Sequence, residues 1–293
     1  MYKKTRTCEC CGKELTYGSY SAWHLAEKNH SLCKSCAGRK KAKKLNNLSV
    51  LLEDTPESYY WIGFLLADGH FSEKRITVGL AEHDRDHLEK FAKYINYKGT
   101  IRTAKGETHN GVYLSAMDTG LVEKLRKKFD IKSNKTYNPP KTLNWIPEDL
   151  FLPLVGGIID GDGNIMNFHK RKDVFIRIKQ HNSWLPILKE IGKFLGKEDS
   201  VKTNKDGYAE LCVTGYPLIR DLKKRLMDYN VPLMSRKWDK IDLDFKTKYE
   251  KKTETYSKIK ELLHQNIKQT EIAKMVGVSD ATVTKVKKLL QNE

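Results

Sequence analysis

The stretch that decides the fold is an apolar run ending in alternating acids and glycines, Val155-Gly156-Gly157-Ile158-Ile159-Asp160-Gly161-Asp162-Gly163. A looser copy ends 94 residues earlier and reads Trp61-Ile62-Gly63-Phe64-Leu65-Leu66-Ala67-Asp68-Gly69. Small residues four apart, Gly63/Ala67 and Gly157/Gly161, share one face of a helix and let two backbones approach closely. We therefore predict two buried helices that pack against each other.

The same order of elements follows each apolar run, so residues 51–250 read as an internal repeat. Period-2 alternation predicts a strand in each copy, and the strands end in Glu82-His83-Asp84 and Gln180-His181-Asn182. A helix, a hairpin and a basic amphipathic helix come next, which gives an α+β fold of two αββαββα units. The positions that carry the pattern are Ile76, Val78 and Leu80 with Val174, Ile176 and Ile178; Leu88, Phe91 and Ile95 with Leu185, Leu188 and Ile191; the hairpins around Gly99–Asp118 and Ser200–Thr214; and Leu121, Leu125 and Phe129 with Leu218, Leu222 and Leu226.

Two carboxylates end the apolar helices and point to a metal site. Asp68 and Asp162 precede Gly69 and Gly163, which suit the position just after a helix. Carboxylates there face the negative end of the helix dipole and would repel each other, and a divalent cation offsets both effects. Oxygen-only ligands favour Mg²⁺. A lone Asp-Gly pair is usually a turn, but two at equivalent places favour a metal site.

These two runs resemble the LAGLIDADG motif of homing endonucleases. The match is close over Val155–Gly163 and looser over Trp61–Gly69, where Leu66 replaces the first aspartate. The resemblance covers about 200 residues and implies two pseudo-symmetric halves, with the motif helices at the centre and two sheets forming a saddle over double-stranded DNA. It also implies metal-assisted phosphodiester hydrolysis, with Asp68 and Asp162 binding two or more Mg²⁺ ions.

Further catalytic roles follow from the resemblance alone. Glu82 and Gln180 fall where the family often has a polar residue that orders the attacking water. His83 and His181 are candidates for phosphate contact or proton transfer. We find no counterpart of the lysine that the family places near the cleaved phosphate. Lys135 and Lys237 are interpreted as contacts to the DNA backbone or as linker charges.

The expected DNA-reading residues lie on the outward faces of the strands. Arg177 and Lys179 alternate with the apolar Val174, Ile176 and Ile178, so they point away from the core. Further candidates on strands and loops are Arg75, Arg102, Lys105, Lys202 and Lys205.

The N-terminal segment carries five of the six cysteines. Cys8-x2-Cys11 and Cys33-x2-Cys36 have the spacing of two zinc knuckles and predict one structural Zn²⁺ with four thiolate ligands. Cys10 could replace a neighbour as ligand, His24 and His30 are weaker alternatives, and a redox dithiol stays open. The basic run Gly38–Lys44 then predicts a linker that contacts phosphate, with a solubilising tether as the alternative.

The C-terminal segment resembles a helix-turn-helix. Ile259, Leu262 and Leu263 mark a first helix, and Gln269–Ser279 reads as helix, turn and cap, with Gly277 suited to the left-handed turn. Val283, Val286 and Leu290 repeat on the inner face of the last helix. The residues left outward suit a recognition helix in the major groove. Those chosen as DNA contacts are Thr282, Thr284 and Lys285, beside Asp280, Lys287 and Lys288.

Charge and composition agree with a nucleic-acid partner. The 293 residues carry a net charge of +17, of which residues 1–50 and 251–293 hold +8 and +4. No apolar run is long enough to span a membrane, and the clustered cysteines favour a reducing compartment. We expect a monomer in the cytoplasm, associated with the nucleoid, and a phage or mobile-element origin stays open. The predicted segments are a zinc module 1–40, a basic linker 41–54, repeats 55–145 and 146–245, and a helix-turn-helix domain 246–293.

Three functions remain open at this point. The first is a site-specific, metal-dependent double-strand DNA endonuclease, from an intron, an intein or a free-standing gene. The second is a transcription regulator that keeps the same architecture without cutting. The third is an RNA-splicing maturase, which would bind intron RNA. Retention of both Asp68 and Asp162 favours the first.

Overall fold

The computed structural model describes residues 3–105, 110–168 and 173–291, and within them the chain forms twelve α-helices and ten strands. The helices are α1 (Tyr20–Lys28), α2 (Lys34–Leu45), α3 (Pro56–Asp68), α4 (Arg85–Tyr94), α5 (Thr119–Lys128), α6 (Glu148–Asp162), α7 (Leu185–Phe194), α8 (Tyr216–Asp228), α9 (Ser235–Trp238), α10 (Lys248–His264), α11 (Gln269–Val276) and α12 (Asp280–Leu290). The strands are β1 (Lys4–Thr7), β2 (Glu14–Tyr17), β3 (Gly69–Phe71), β4 (Arg75–Ala81), β5 (Arg102–Lys105), β6 (Asn110–Met117), β7 (Gly163–Phe168), β8 (Asp173–His181), β9 (Val201–Thr203) and β10 (Tyr208–Thr214).

The middle of the chain confirms the predicted α+β repeat. The first copy runs α3-β3-β4-α4-β5-β6-α5 and the second runs α6-β7-β8-α7-β9-β10-α8. Each copy has one antiparallel sheet, with strand orders β3-β4-β6-β5 and β7-β8-β10-β9. The inward side chains of both sheets belong to one apolar core, which also contains most of α3 and α6. Two αββαββα units therefore share a single core.

Helices α3 and α6 pack against each other at the centre, as their glycines predict. A Cβ placed on Gly63 would lie 2.0 Å from the carbonyl oxygen of Leu154. A Cβ on Gly157 would lie 1.9 Å from the carbonyl oxygen of Tyr60, at the matching point of the other helix. Since real Cβ atoms do not come that close to backbone, only glycine permits this contact.

The glycines that follow the two helices differ from the prediction. Gly69 and Gly163 have φ of −76° and −79°, which is extended backbone and not the left-handed conformation of a helix-ending glycine. The chain passes directly from helix into strand there. Glycine is needed for space, since a Cβ would lie 2.5 Å from the carbonyl oxygen of Leu65 at Gly69 and of Ile159 at Gly163.

The strand register corrects the predicted alignment of the two copies. Gly69 pairs with Val78 and Gly163 pairs with Ile178, so residues of β4 match residues of β8 whose numbers are higher by 100. The position of Gln180 is therefore occupied by Leu80 in the first repeat. The predicted equivalence of Glu82 with Gln180, and of Leu88 with Leu185, is wrong by two and three residues. The loop between the first two strands is six residues longer in the second copy, which the sequence pattern concealed.

Each repeat reaches across to the other through the segment that follows its third helix. The Nζ of Lys90 donates to the carbonyl oxygen of Leu233 at 3.2 Å. At the matching place, the backbone N–H of Leu143 donates to Oε2 of Glu190 at 2.7 Å. These reciprocal contacts hold the two halves in a fixed relation, which a site shared between α3 and α6 requires.

The two ends of the chain have small apolar clusters of their own. Cys8, Cys33 and Cys36 pack with Leu15 and Leu32 at the N-terminus. Helix α2 then lies near β6, where Nδ2 of Asn46 donates to the carbonyl oxygen of Met117 at 3.5 Å. The predicted boundaries of these end modules stay predictions.

At the C-terminus, helices α10, α11 and α12 enclose a cluster that includes Ile259, Ile272, Val283 and Val286. Gly277 has φ of +70°, in the left-handed region, and Ser279 caps α12 by accepting from the N–H of Thr282. This is the predicted helix, turn and capped helix. No described helix is long and apolar enough to cross a bilayer.

Candidate active site

Asp68 and Asp162 end the two central helices side by side. Near these ends, a Cβ on Gly161 would lie 2.2 Å from the Cβ of Ala67, so the helices are still in close contact one residue before each carboxylate. Both aspartates are only partly exposed. The fold therefore brings together the two residues that the sequence singled out most strongly.

The surroundings of these carboxylates disfavour their charged forms. Burial, and then the neighbouring Asp162, raise the pKa of Asp68 to about 6. Burial also raises the pKa of Asp162, although Lys135 and a hydrogen bond from Gln180 oppose that shift. Two desolvated acids that repel each other form a site where a divalent cation binds favourably, because it removes both penalties.

Lys135 and Lys237 lie at this site, so their interpretation as linker charges is wrong, whereas their contact to the DNA backbone stays a prediction. Both side chains are buried, and burial lowers the pKa of each. The Nζ of Lys135 donates to the carbonyl oxygen of Ala67 at the end of α3. The Nζ of Lys237 donates to carbonyl oxygens at the end of α6, those of Ile159 at 3.1 Å and Gly161 at 3.0 Å among them.

The two lysines thus place one positive charge at the negative end of each central helix. Their charges lower the pKa of Asp68 against the effect of burial. The signal in the sequence was their shared position after the third helix of each copy, and the segments there cross to the other repeat. The residue pattern of the later strands does not reveal these lysines, because they lie on the segments that cross between the repeats.

Asp160, the first acid of the second motif, has a structural role. Its side chain is fully buried, and Oδ2 accepts from the hydroxyl of Tyr60 at 2.6 Å and from the N–H of Met234 at 2.9 Å. Its Oδ1 accepts from Nε1 of Trp238 at 2.7 Å. The carboxylate therefore joins α3, α6 and the segment around α9. Leu66 has the corresponding motif position in the first repeat, which leaves that half without this connection.

Gln180 and Glu82 have different surroundings. Nε2 of Gln180 donates to Oδ2 of Asp162, so this predicted residue does contact a motif carboxylate. Glu82 is exposed, and its Oε1 accepts from Nε of Arg85 at 2.8 Å. The structure does not bring Glu82 into contact with Asp68.

The two histidines lie at the edge of the site. His83 is exposed, with Nε2 3.5 Å from Oδ2 of Asp84. Nδ1 of His181 lies 3.0 Å from the hydroxyl of Ser183. Asp84 itself was not predicted as a site residue. It is buried near Asp68, where its charge helps to raise the pKa of that residue, and it accepts two hydrogen bonds from Arg236 at 2.7 and 2.8 Å.

The strand residues predicted to read DNA share the faces of the two sheets that point away from the core. Arg75, Arg102, Arg177, Lys179 and Lys202 are all exposed. Register places Arg102 beside Tyr113 on the first sheet, and Lys179 and Lys202 on either side of Glu210 on the second. Arg177 pairs with Glu210 at 3.1 Å. Lys105 and Lys205 are exposed as well, on β5 and in the β9–β10 turn.

The C-terminal candidates lie on the outer side of α12. Thr284 and Lys285 are exposed and Thr282 is half-buried beside the cap. The hydroxyl of Thr284 donates to the carbonyl oxygen of Asp280 at 3.0 Å and to Oε1 of Gln269 at 3.1 Å. Lys285, Lys287 and Lys288 form a basic exposed surface on this helix.

Four cysteines gather at the N-terminus in the predicted set. The Sγ atoms of Cys8, Cys11, Cys33 and Cys36 all lie within 4.8 Å of one another. Tetrahedral zinc at about 2.3 Å from each sulfur requires sulfurs about 3.8 Å apart, and Cys11 and Cys33 are separated by 3.8 Å. Cys10 is exposed and outside this set. The residues fit zinc, and the ion itself stays a prediction.

Backbone groups support a thiolate at Cys8 in this cluster, whereas a hydrogen bond with Cys33 raises the pKa of Cys36. The N–H of Cys33 donates to Sγ of Cys8 at 3.3 Å, and such bonds lower the pKa of Cys8 to about 6. A guanidinium N–H of Arg39 donates to Sγ of Cys36 at 3.3 Å. Nδ1 of His30 lies 2.8 Å from Oε1 of Glu9, and the ring of His24 stacks on the ring of Tyr20. The basic run 38–44 was predicted to contact phosphate, and the side chains of its residues 41–44 lie outside the part of the chain that the structure describes.

Comparison with solved structures finds LAGLIDADG homing endonucleases. The I-SmaMI enzyme bound to cleaved DNA matches with a TM-score of 0.44 and 12% identity, over 63% of this chain and 86% of that one. I-LtrWI bound to target DNA matches with a TM-score of 0.42 and 13% identity, over 83% of this chain and 97% of that one. I-GzeII in complex with its DNA target matches with a TM-score of 0.43 and 11% identity, over 80% of this chain and 97% of that one. Identities this low do not carry a residue's role from those proteins to this chain.

Sequence comparison gives little more. No family model matches the chain. An A-type ATP synthase subunit of Methanopyrus kandleri is 23% identical over 160 residues, which are 55% of this chain and 15% of that protein. The chain thus spans about one seventh of that relative's length.

Proposed function

We propose that this protein is a metal-dependent endonuclease that cuts double-stranded DNA at a specific long site, with both halves of the site read by one chain. The observation that carries the proposal is the pair of desolvated carboxylates, Asp68 and Asp162, at adjacent helix ends between two exposed basic sheet faces. Mg²⁺ is the cation that such oxygen ligands favour. The homing-endonuclease resemblance of the motifs points to the same chemistry.

The side chains at the site divide the work of hydrolysis. Asp68 and Asp162 would hold the cations, which when bound neutralise charge on the phosphate and lower the pKa of water. The ammonium groups of Lys135 and Lys237 add fixed positive charge beside the carboxylates. Gln180, held on Asp162, can orient a water molecule for attack on phosphorus. The water gives up one proton to solvent as its oxygen bonds to phosphorus, one P–O ester bond breaks, and the leaving oxygen takes up a proton from solvent.

The sheets supply the binding surface in this proposal. Arginines and lysines on their outward faces would contact phosphates and base edges, while the interlocked repeats keep the two half-sites in a fixed relation. One chain contains both halves, so a monomer suffices.

The terminal segments would add affinity. A zinc module and a helix-turn-helix tethered to the core raise the effective concentration at flanking DNA, which can strengthen binding by about 10²–10⁴. The exposed lysines of α12 support DNA contact by the helix-turn-helix. That same surface is the observation that favours a second candidate, a transcription regulator that binds without cutting.

A comparison of binding with cutting tests the proposal. The substrate is a duplex made by joining the sequences that flank the gene in its source genome, incubated with Mg²⁺ and either wild type or Asp162→Asn. We expect wild type to cut both strands, and the variant to bind equally well or better because it lacks a negative charge near phosphate. Tight binding by wild type without any cutting would transfer support to the regulator. An equal loss of binding and cutting in the variant would count against a catalytic Asp162.

A further inference from the structure

The two halves of the candidate active site are chemically unequal. The strand register makes Gly79, Leu80 and Ala81 of β4 the counterparts of Lys179, Gln180 and His181 of β8. At these three consecutive positions the second repeat has side chains that can form hydrogen bonds, and Gln180 contacts the carboxylate of Asp162. The first repeat has none there.

In the second repeat, the polar side chains at these three positions are held in place by neighbouring residues. Gln180 donates to the carboxylate of Asp162, which fixes its amide at the reacting end of α6. The Nζ of Lys179 lies 4.4 Å from the ring centre of Tyr208, on the outward face of the sheet. His181 lies against Ser183.

The apolar side is open. A groove of about 480 Å³ runs along Asp68, and Gly79, Leu80, Ala81 and Asp84 contribute to its lining. A glutamine at Leu80 would stand where Gln180 stands in the other half. Because the side chain at that position is apolar, Asp68 receives no hydrogen bond from it.

Neither nearby acid replaces the missing group. Glu82 is held by Arg85, whose guanidinium also donates to the hydroxyl of Thr103 at 3.2 Å. Asp84 is held by two hydrogen bonds from Arg236. Asp84 is also an anion, and an anion beside Asp68 opposes the approach of phosphate. Asn110 and Tyr113 also line the groove, on β6. Along the described part of β4, however, the half that contains Asp68 has no counterpart of the Gln180 amide.

We infer that the two strands are cut at unequal rates, the faster cut being made by the half that contains Asp162 and Gln180, so that nicked DNA accumulates before the double-strand break. This inference rests on the proposed function. Leu80 and Gln180 determine the bias because an ordered water is needed in each half, and misplacement of a reacting group by about 1 Å can cost 100-fold in rate.

Reciprocal substitutions test the inference. The substrate is a supercoiled plasmid carrying the joined flanking sequences, or a site selected from a randomised duplex library, in Mg²⁺. Nicked and linear forms are followed in time, and end-labelled duplexes identify the strand. For wild type we expect a first cut up to about 100-fold faster than the second. Leu80→Gln should speed the slow strand by up to about 100-fold and leave the fast strand unchanged, and Gln180→Leu should slow the fast strand by up to about the same factor.

Binding without magnesium separates positioning from damage to the fold. The affinity of Leu80→Gln and Gln180→Leu for the duplex should match wild type in magnesium-free buffer, and their melting temperatures should stay close to wild type. Gln180→Asn, which keeps a neutral amide, should retain more of the fast cut than Gln180→Leu.

Two results would overturn the inference while leaving the proposed function intact. One is equal cutting of both strands by wild type. The other is a strand bias that neither Leu80→Gln nor Gln180→Leu changes in variants that bind normally. An absence of any Mg²⁺-dependent cutting, at the joined site and across the library, would overturn the proposed function and this inference with it.

Discussion

Replacement of Asp68 by asparagine should stabilise the metal-free protein while it removes activity. Burial and Asp162 raise the pKa of Asp68 from 3.8 to about 6. One pKa unit corresponds to about 1.4 kcal/mol, so the ionised Asp68 costs the fold about 3 kcal/mol at neutral pH. Asparagine has nearly the same shape and no charge. For the core of about 200 residues that the two repeats share, the gain corresponds to a rise in melting temperature of about 6–12 °C.

The pH dependence follows from the direction of the shift. Between pH 4 and 6 the folded state binds more protons at Asp68 than the unfolded state does, so this residue lowers stability as pH rises. Below pH 4 Asp68 is protonated in both states and the variant should melt like wild type. The difference between them should grow through pH 4–6 and stay constant above it.

Scanning calorimetry from pH 3.5 to 7.5 measures the effect. The buffer contains neither magnesium nor a chelator, so that a zinc ion at the cysteine cluster is not removed. Asp84→Asn is the matched control, because Asp84 is also a buried acid but Arg236 holds its pKa below the usual value. That control should be less stable than wild type at neutral pH. A lower melting temperature for Asp68→Asn, or one equally raised at pH 3.5 and 7.5, would refute the reasoning.

Three further predictions concern the helix contact, the cysteine cluster and the C-terminal helices. Gly157→Ala places a Cβ 1.9 Å from a backbone oxygen and should cost about 3 kcal/mol or more in urea unfolding, whereas Gly156→Ala meets only the end of the Leu226 side chain and should cost less. We expect atomic absorption to find one equivalent of zinc in wild type, which Cys33→Ser should abolish and Cys10→Ser should retain. Replacement of Lys285 and Lys288 by alanine should reduce the slope of log affinity against log salt by about 0.9 for each phosphate that the variant no longer neutralises.

Each of these predictions has a contradicting result. Equal destabilisation by the two glycine variants would mean that the backbones of α3 and α6 can move apart at little cost. Zinc loss in Cys10→Ser would change the ligand set. An unchanged salt slope in the lysine variant, measured by fluorescence anisotropy on the same duplex, would mean that α12 does not touch DNA.

The repeat and its central helices could be predicted from the sequence because their signals are local and periodic. The four-residue spacing of Gly63/Ala67 and of Gly157/Gly161 indicates a close helix contact without knowledge of where the partner helix lies. Gly277 and Ser279 indicate a turn and a helix cap by residue type alone. The cysteine set followed from CxxC spacing in the same way. These features need no knowledge of what is near in space.

The errors came from features that depend on three-dimensional connection. The residue of the first repeat that occupies the position of Gln180 is Leu80 and not Glu82, because the first hairpin of the second copy is longer. Only the strand pairing reveals that difference in length. The positions of Lys135 and Lys237 after the third helices do not reveal that these lysines are buried, because lysine is rarely buried. Their burial depends on segments that cross between repeats to reach the ends of the central helices. Asp84 and Arg236, 152 residues apart, form an ion pair that no local pattern signals.

Cleavage of a randomised duplex library tests the central claim most directly, because it does not depend on knowing the target. Wild type and the double variant Asp68→Asn, Asp162→Asn are incubated with the library, with and without Mg²⁺, and the cut ends are sequenced. We expect wild type alone, and only with Mg²⁺, to release ends that share one long sequence. Cutting by the double variant, or binding by wild type with no cut ends in Mg²⁺, would contradict a nuclease built on these two carboxylates.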